Sequence, residues 1–156
     1  MGEEMQRPTA PTPGATATRP RVMVVDDEDL VRLVIAKTLQ VAGFDVVVAR
    51  DGLEALQLLP AAAPQLVLTD LNMPRCNGER LCLEIRREPA WAGIALVIMT
   101  GGPLDEARMR EIGCAAVIYK PLPDRLGELL SGVLRGATAG SPGVWTVPGA
   151  ATRRSA

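Results

Sequence analysis

VMVVDDED (22–29) and QLVLTDLNMP (65–74) each run from apolar, largely β-branched residues straight into aspartate. Two later stretches, IALVIMT (94–100) and AAVIYK (115–120), end on a threonine and a lysine. Continuously apolar runs of this length suit strands buried on both faces, as in a parallel sheet. With DVVVA (45–49), the predicted strands are Val22–Val25, Asp45–Ala49, Gln65–Thr69, Ile94–Met99 and Ala116–Tyr119. Helical patterns separate and follow them: Asp29–Ala42, Gly52–Leu59, Glu79–Arg87, Leu104–Ile112 and Asp124–Leu134. Gly43 and Gly113 stand where a left-handed residue ends a helix. Five βα units predict an α/β fold with a doubly wound parallel sheet and helices on both faces. Ligands of such sheets bind outside the carboxyl ends of the strands.

Those strand ends carry Asp26, Asp27, Asp70, Thr100 and Lys120. Singly, each has a plain explanation: a polar strand end, a helix-capping acid, a β-branched strand residue, a surface lysine. Glu28 and Asp29 are enough to cap the first helix, which leaves Asp26 and Asp27 free for other work. Together the five form what an aspartyl-phosphate site needs. Asp70 is the candidate nucleophile. Asp26 and Asp27 are candidate ligands for Mg²⁺ or another divalent cation, joined by Asp70 and the backbone carbonyl of Asn72. Thr100 and Lys120 are candidates for binding phosphoryl oxygens. Gly101 leaves room for a close approach to the backbone, and Pro121 biases Lys120 towards extended geometry.

The remaining composition narrows the classes. A chain of 156 residues, 47% of them hydrophobic, fits one domain with tails. A net charge of -1 gives no footprint for nucleic acid or a membrane surface, and no apolar run reaches the length of a membrane span. MGEEMQRPTAPTPG lacks the apolar stretch of a signal peptide. Cys76, Cys82 and Cys114 read as free thiols, which suits the cytoplasm. With no histidine, zinc is disfavoured and the chain cannot supply its own phosphohistidine. Residues 1–20 and 136–156, rich in Pro, Ala, Thr and Gly, are expected to be flexible tails around a domain at 21–135. Val144, Trp145 and Val147 are an apolar exception within the second tail.

In the first helix, Val31, Val34, Ile35, Leu39 and Ala42 are expected to face the core. Leu30, Leu33 and Val41 point away, beside Lys37. They are either scattered surface apolars or a docking patch next to the acidic crevice.

Residues 21–135 resemble the receiver domain of bacterial two-component response regulators. The matching residues are Asp26-Asp27, the DLNMP run at 70–74, Gly78, the TGG at 100–102 and Lys120-Pro121. The resemblance implies a flavodoxin-like (βα)5 fold with five parallel strands in the order 2-1-3-4-5. It also implies phosphoryl transfer to Asp70 from a sensor histidine kinase or histidine phosphotransfer protein. Asp26, Asp27, Asp70 and the Asn72 carbonyl would hold Mg²⁺, and Thr100 and Lys120 would bind the phosphoryl group. Phosphorylation would draw Thr100 and Lys120 inward and shift the face made by helix 4, strand 5 and helix 5. The expected product is a phosphorylation-dependent signalling protein that switches or relays to a protein partner, rather than a turnover enzyme. Formation of a homodimer is left open.

Two features depart from the pattern. Val117 stands where the family usually has an aromatic, and Tyr119 is expected on the opposite face from Val117. The interval from Thr100 to Lys120 is short and carries Pro103, so helix 4 is expected to be short or to start irregularly. Alternative readings are a receiver fold used as a phosphorylation-independent binding module and an Asp-nucleophile phosphatase. The phosphatase reading wants a DxD, where this chain has Asn72, and a cap insertion. A flavin carrier lacks the aromatic residues and the Ser/Thr-rich phosphate turns.

Overall fold

The structure is a computed structural model that describes residues 18–138 and 145–147. Residues 1–17, most of the expected N-terminal tail, lie outside the described residues. The elements are β1 (Arg21–Val25), α1 (Asp29–Val41), β2 (Asp45–Ala49), α2 (Gly52–Ala62), β3 (Leu66–Asp70) and α3 (Gly78–Arg87). They continue with a 3-10 turn at Pro89–Trp91, β4 (Ala95–Thr100), α4 (Glu106–Glu111), β5 (Ala116–Tyr119), α5 (Leu126–Thr138) and β6 (Trp145–Val147). The sheet runs β2-β1-β3-β4-β5-β6, every neighbouring pair parallel.

The first five strands stand in the expected order, and β6 is an addition at the edge. The second tail is therefore corrected at two places. α5 runs on to Thr138, and Trp145–Val147 pairs with β5.

Every residue of β3 and β4 is buried, as their unbroken apolar runs require. Alternation along the strands divides the core in two. Met23, Val25, Val67, Ile98 and Val117 pack with α2, α3 and α4 on one face. Val22, Val24, Leu68, Met99 and Ile118 pack with α1 and α5 on the other. Tyr119 packs against the first of these cores, with Val117. That corrects the expectation of opposite faces: two residues along a strand bring the side chain back to the same side.

Gly43 and Gly113 have φ of +102° and +74°, the left-handed geometry expected after α1 and α4. α2 continues past Leu59 to Ala62 although Pro60 lies inside it. Ala63, at φ 46°, closes the helix with its N–H on the Leu59 carbonyl at 2.9 Å. α4 is short, six residues from Glu106, and the turn before it contains Gly101, Gly102 and Pro103.

On α1, Ile35, Ala36 and Leu39 are the buried residues. Val34, expected in the core, is 55% exposed, and Ala42 is exposed too. The buried stripe is narrower than the apolar pattern because, among the described residues, α1 packs mainly on β1, β2 and α5.

Candidate functional site

The strands deliver the chemistry in step. Asp70 is the last residue of β3 and lies beside Met99, and Thr100 ends β4 beside Tyr119. Lys120 follows directly, its N–H on the Thr100 carbonyl at 2.8 Å. Asp26 follows β1 and is tied to β2 by an N–H on the Ala49 carbonyl at 3.2 Å. Parallel strands in register thus end together, and side chains fifty residues apart in sequence meet.

Asp26, Asp27 and Asp70 each turn one carboxylate oxygen into a common space, all within 4.8 Å of one another. Asp26 and Asp70 are buried, whereas Asp27 is exposed. The Lys120 ammonium donates to Asp70 Oδ1 at 2.9 Å, forming an ion pair. Thr100 is buried, and its hydroxyl oxygen accepts the Gly102 N–H at 3.1 Å. Asn72 is exposed in the loop that leaves Asp70. Leu30 and Leu33, 71% and 62% exposed, and Lys37 lie on α1, which begins three residues after Asp26.

The electrostatics follow from this packing. Burial, with the charges of Asp70 and Asp27, pushes the Asp26 carboxyl up from its ordinary value against the pull of the Glu28 N–H and the Lys120 charge. For Lys120, burial pulls downward. The hydrogen bond and charge of Asp70, with Asp26 and Glu28, outweigh it and leave the ammonium more firmly protonated.

Asp26 divides its work between its two oxygens. Oδ1 accepts the N–H of Glu28 at 2.9 Å, while Oδ2 is buried and has no hydrogen-bond partner among the described residues. This amends the expected capping. Glu28 sits at the N-cap of α1 but its side chain makes no cap bond, and Asp26 holds the Glu28 N–H in its place. A buried carboxylate oxygen without a partner, in a side chain that clusters with two further carboxylates, is costly without a cation. The all-oxygen, acidic donor set fits a hard divalent ion such as Mg²⁺.

Two supporting features come from loops. A Cβ on Gly78 would lie 2.3 Å from the Asp70 carbonyl oxygen, so only glycine lets α3 start this close to the end of β3. Gly52, at the start of α2, is pressed against Cys76 in the same way, with its N–H on the Cys76 carbonyl at 3.2 Å. From the sequence, Gly52 is expected only as the start of a helix, and Asp51 and Arg75 carry no expected role. Asp51 caps α2 through the Glu54 N–H at 2.9 Å and forms an ion pair with Arg75 of the β3–α3 loop. The DGLE spacing at 51–54 was a usable signal for that cap, but the partnership with Arg75 was not readable.

Comparison with known proteins agrees with this geometry. A family model described as "Response regulator receiver domain" matches residues 22–131. "Probable transcriptional regulator ycf27" of Guillardia theta is 33% identical over 121 residues, covering 76% of this chain and 46% of that protein. "Response regulator MprA" of Mycobacterium sp. (strain KMS) is 32% identical over 111 residues, covering 71% and 47%. The chain thus spans about half the length of the curated relatives it matches. Among solved structures, the chemotaxis response regulator CheY4 of Vibrio cholerae superposes with a TM-score of 0.70 at 28% identity, covering 74% of this chain and 99% of that one. With the five strands in their order and the acidic crevice at their ends, the chain belongs to the response regulator receiver domain family.

Proposed function

We propose that the chain accepts a phosphoryl group from a phosphohistidine donor onto Asp70 and thereby switches, or relays to, a protein partner. The crevice carries this reading: one carboxylate held by an ammonium at 2.9 Å, and two more around a shared space. Asp26, Asp27, Asp70 and the backbone carbonyl of Asn72 would hold Mg²⁺ or another divalent cation. When bound, such an ion offsets the carboxylate repulsion and neutralises charge on the phosphoryl oxygens.

The chain's own residues do the rest. A carboxylate oxygen of Asp70 attacks phosphorus, forming an O–P bond as the P–N bond of the donor breaks. The imidazole leaves with that electron pair and takes up a proton. Lys120 orients Asp70 beforehand and holds a phosphoryl oxygen afterwards. The Thr100 hydroxyl donates to another phosphoryl oxygen. A Cβ at Gly101 would meet nothing within 4 Å, which supports open space beside the acceptor.

The donor is a sensor histidine kinase or histidine phosphotransfer protein; the 156 residues contain no histidine of their own. Leu30, Leu33 and Lys37 form its docking patch. The chain works in the cytoplasm as a stoichiometric acceptor, not as a turnover enzyme on an external metabolite. Among the described residues no helix is long and apolar enough to cross a membrane.

Intact-mass spectrometry after incubation with acetyl phosphate, with and without Mg²⁺, tests the reading. The expected result is one added phosphoryl group that needs both Mg²⁺ and Asp70. An equal adduct on Asp70→Asn would overturn the site. No adduct, together with no binding of beryllofluoride, would favour a binding module independent of phosphorylation.

A further inference from the structure

Among the described residues, β6 is the strand that the five βα units do not explain. It pairs in parallel with β5 through Ala116↔Trp145, Val117↔Thr146 and Ile118↔Val147, and so takes the outer edge of the sheet. The connection that reaches it has the wrong hand. From β3 to β4 and from β4 to β5 the chain steps one way across the sheet, with Ile85 of α3 and Met109 of α4 on the face of Val67, Ile98 and Val117. From β5 to β6 it steps the same way. Yet α5 lies on the other face, where Leu126, Leu130 and Val133 pack with Ile35 and Leu39 of α1. The same step across the opposite face reverses the hand. From β1 to β2 both step and face are reversed, so that crossover agrees with those through α3 and α4. Strand twist makes right-handed crossovers the strong rule. The β5–α5–β6 crossover is therefore left-handed, and its strand is three residues long.

The segment thus fits the β5 edge in register but reaches it from its own chain by a disfavoured route. We propose that the outer edge of β5 is a pairing site for Trp145–Val147 of a second copy of this chain, and that two copies exchange these strands in a dimer. In trans the same three residue pairs form without the left-handed crossover, because the arriving strand follows the α5 of the other copy. Thr138 and Trp145 are seven residues apart, a reach of about 25 Å when extended. The exchange is isologous, with the same edge and the same segment used on both sides, so it closes at two copies. It also covers an edge that would otherwise offer unpaired N–H and C=O groups to any strand.

Sedimentation velocity across about a hundredfold range of concentration tests this, on the full chain, on a chain ending at Thr138, and on the double variant T146P/V147P. Successive N–H groups of a strand point to opposite sides, so two adjacent prolines remove whichever one faces β5. The full chain is expected to dimerise, and both altered chains to do so at least tenfold more weakly, with circular dichroism showing the domain still folded. Hydrogen exchange at whichever of amides 116–118 point to the outer edge, away from β4, is expected to slow at least tenfold in the dimer relative to the truncated chain. A full chain that stays monomeric throughout, equal association of all three proteins, or a dimer with no protection at 116–118 would overturn the proposal.

Discussion

Asp26 holds the α1 entry with Oδ1, leaves Oδ2 buried without a hydrogen-bond partner among the described residues, and clusters with Asp27 and Asp70. Such an arrangement stores repulsion that a cation relieves. Asp26→Asn removes one charge from the cluster while keeping the side chain's shape. Its metal-free form is expected to melt above the metal-free wild type. Wild type should gain about 1.4 kcal/mol at a free Mg²⁺ concentration ten times its Kd, and the variant almost nothing. Thermal melts in chelator and in a Mg²⁺ series check both halves; an equal Mg²⁺ gain in the variant would remove Asp26 from the ligand set. Lys120 shows the opposite balance, since its burial cost is more than offset by Asp70. The Lys120 ammonium in turn orients Asp70 through their 2.9 Å hydrogen bond.

The elements hold this cluster through their ends. Asp51 caps α2 and pairs with Arg75, which brings the β3–α3 loop against the α2 terminus. The Glu54 N–H, then Arg75, hold its carboxyl below the ordinary value of 3.8 despite burial. The unfolded chain therefore binds the extra proton first as pH falls. Asp51's contribution is complete above 3.8 and is lost as pH drops through its lower folded value. Asp51→Ala is expected to cost about 1 kcal/mol at neutral pH, and the difference from wild type should shrink only below that range. Urea unfolding at a series of pH values measures it. Gly78 is stricter. A methyl group there meets the Asp70 carbonyl at 2.3 Å, so backbone must move. Gly78→Ala is expected to lower stability by about 1–3 kcal/mol and to slow acetyl-phosphate labelling by more than Asp51→Ala does. Labelling at the wild-type rate would show that α3 can start elsewhere without disturbing Asp70.

Across the whole molecule, parallel register lines up the ends of β1, β3, β4 and β5, so the crevice is a property of the sheet rather than of any loop. On the α1 side of that crevice Leu30, Leu33 and Val34 stay 71%, 62% and 55% exposed, an apolar surface with charged neighbours. Leu33→Asp is expected to slow transfer from a phosphohistidine protein at least tenfold, about 1.4 kcal/mol of lost contact, and to leave acetyl-phosphate labelling unchanged. Equal slowing with both donors would mean that the residue acts on the site and not on docking. Much of this molecule is legible in its sequence. Strand character, βα alternation and the Asp, Thr and Lys at the strand ends are local properties, carried by runs of four to seven residues, and the receiver pattern rests on them. Other features needed the folded chain. Val34 has a core-like position in the helical period but stays 55% exposed among the described residues. The Asp51–Arg75 pair joins residues 24 apart, and the Lys120–Asp70 pair residues 50 apart. Which oxygen of Asp26 is free depends on where the Glu28 N–H points. That Trp145–Val147 finds the β5 edge depends on backbone groups, which every residue carries alike. By itself the sequence determined the fold class and the chemical inventory, because periodicity and residue type are written locally. Only the tertiary structure decided burial, pairing and the unpartnered oxygen, because these arise where distant segments meet.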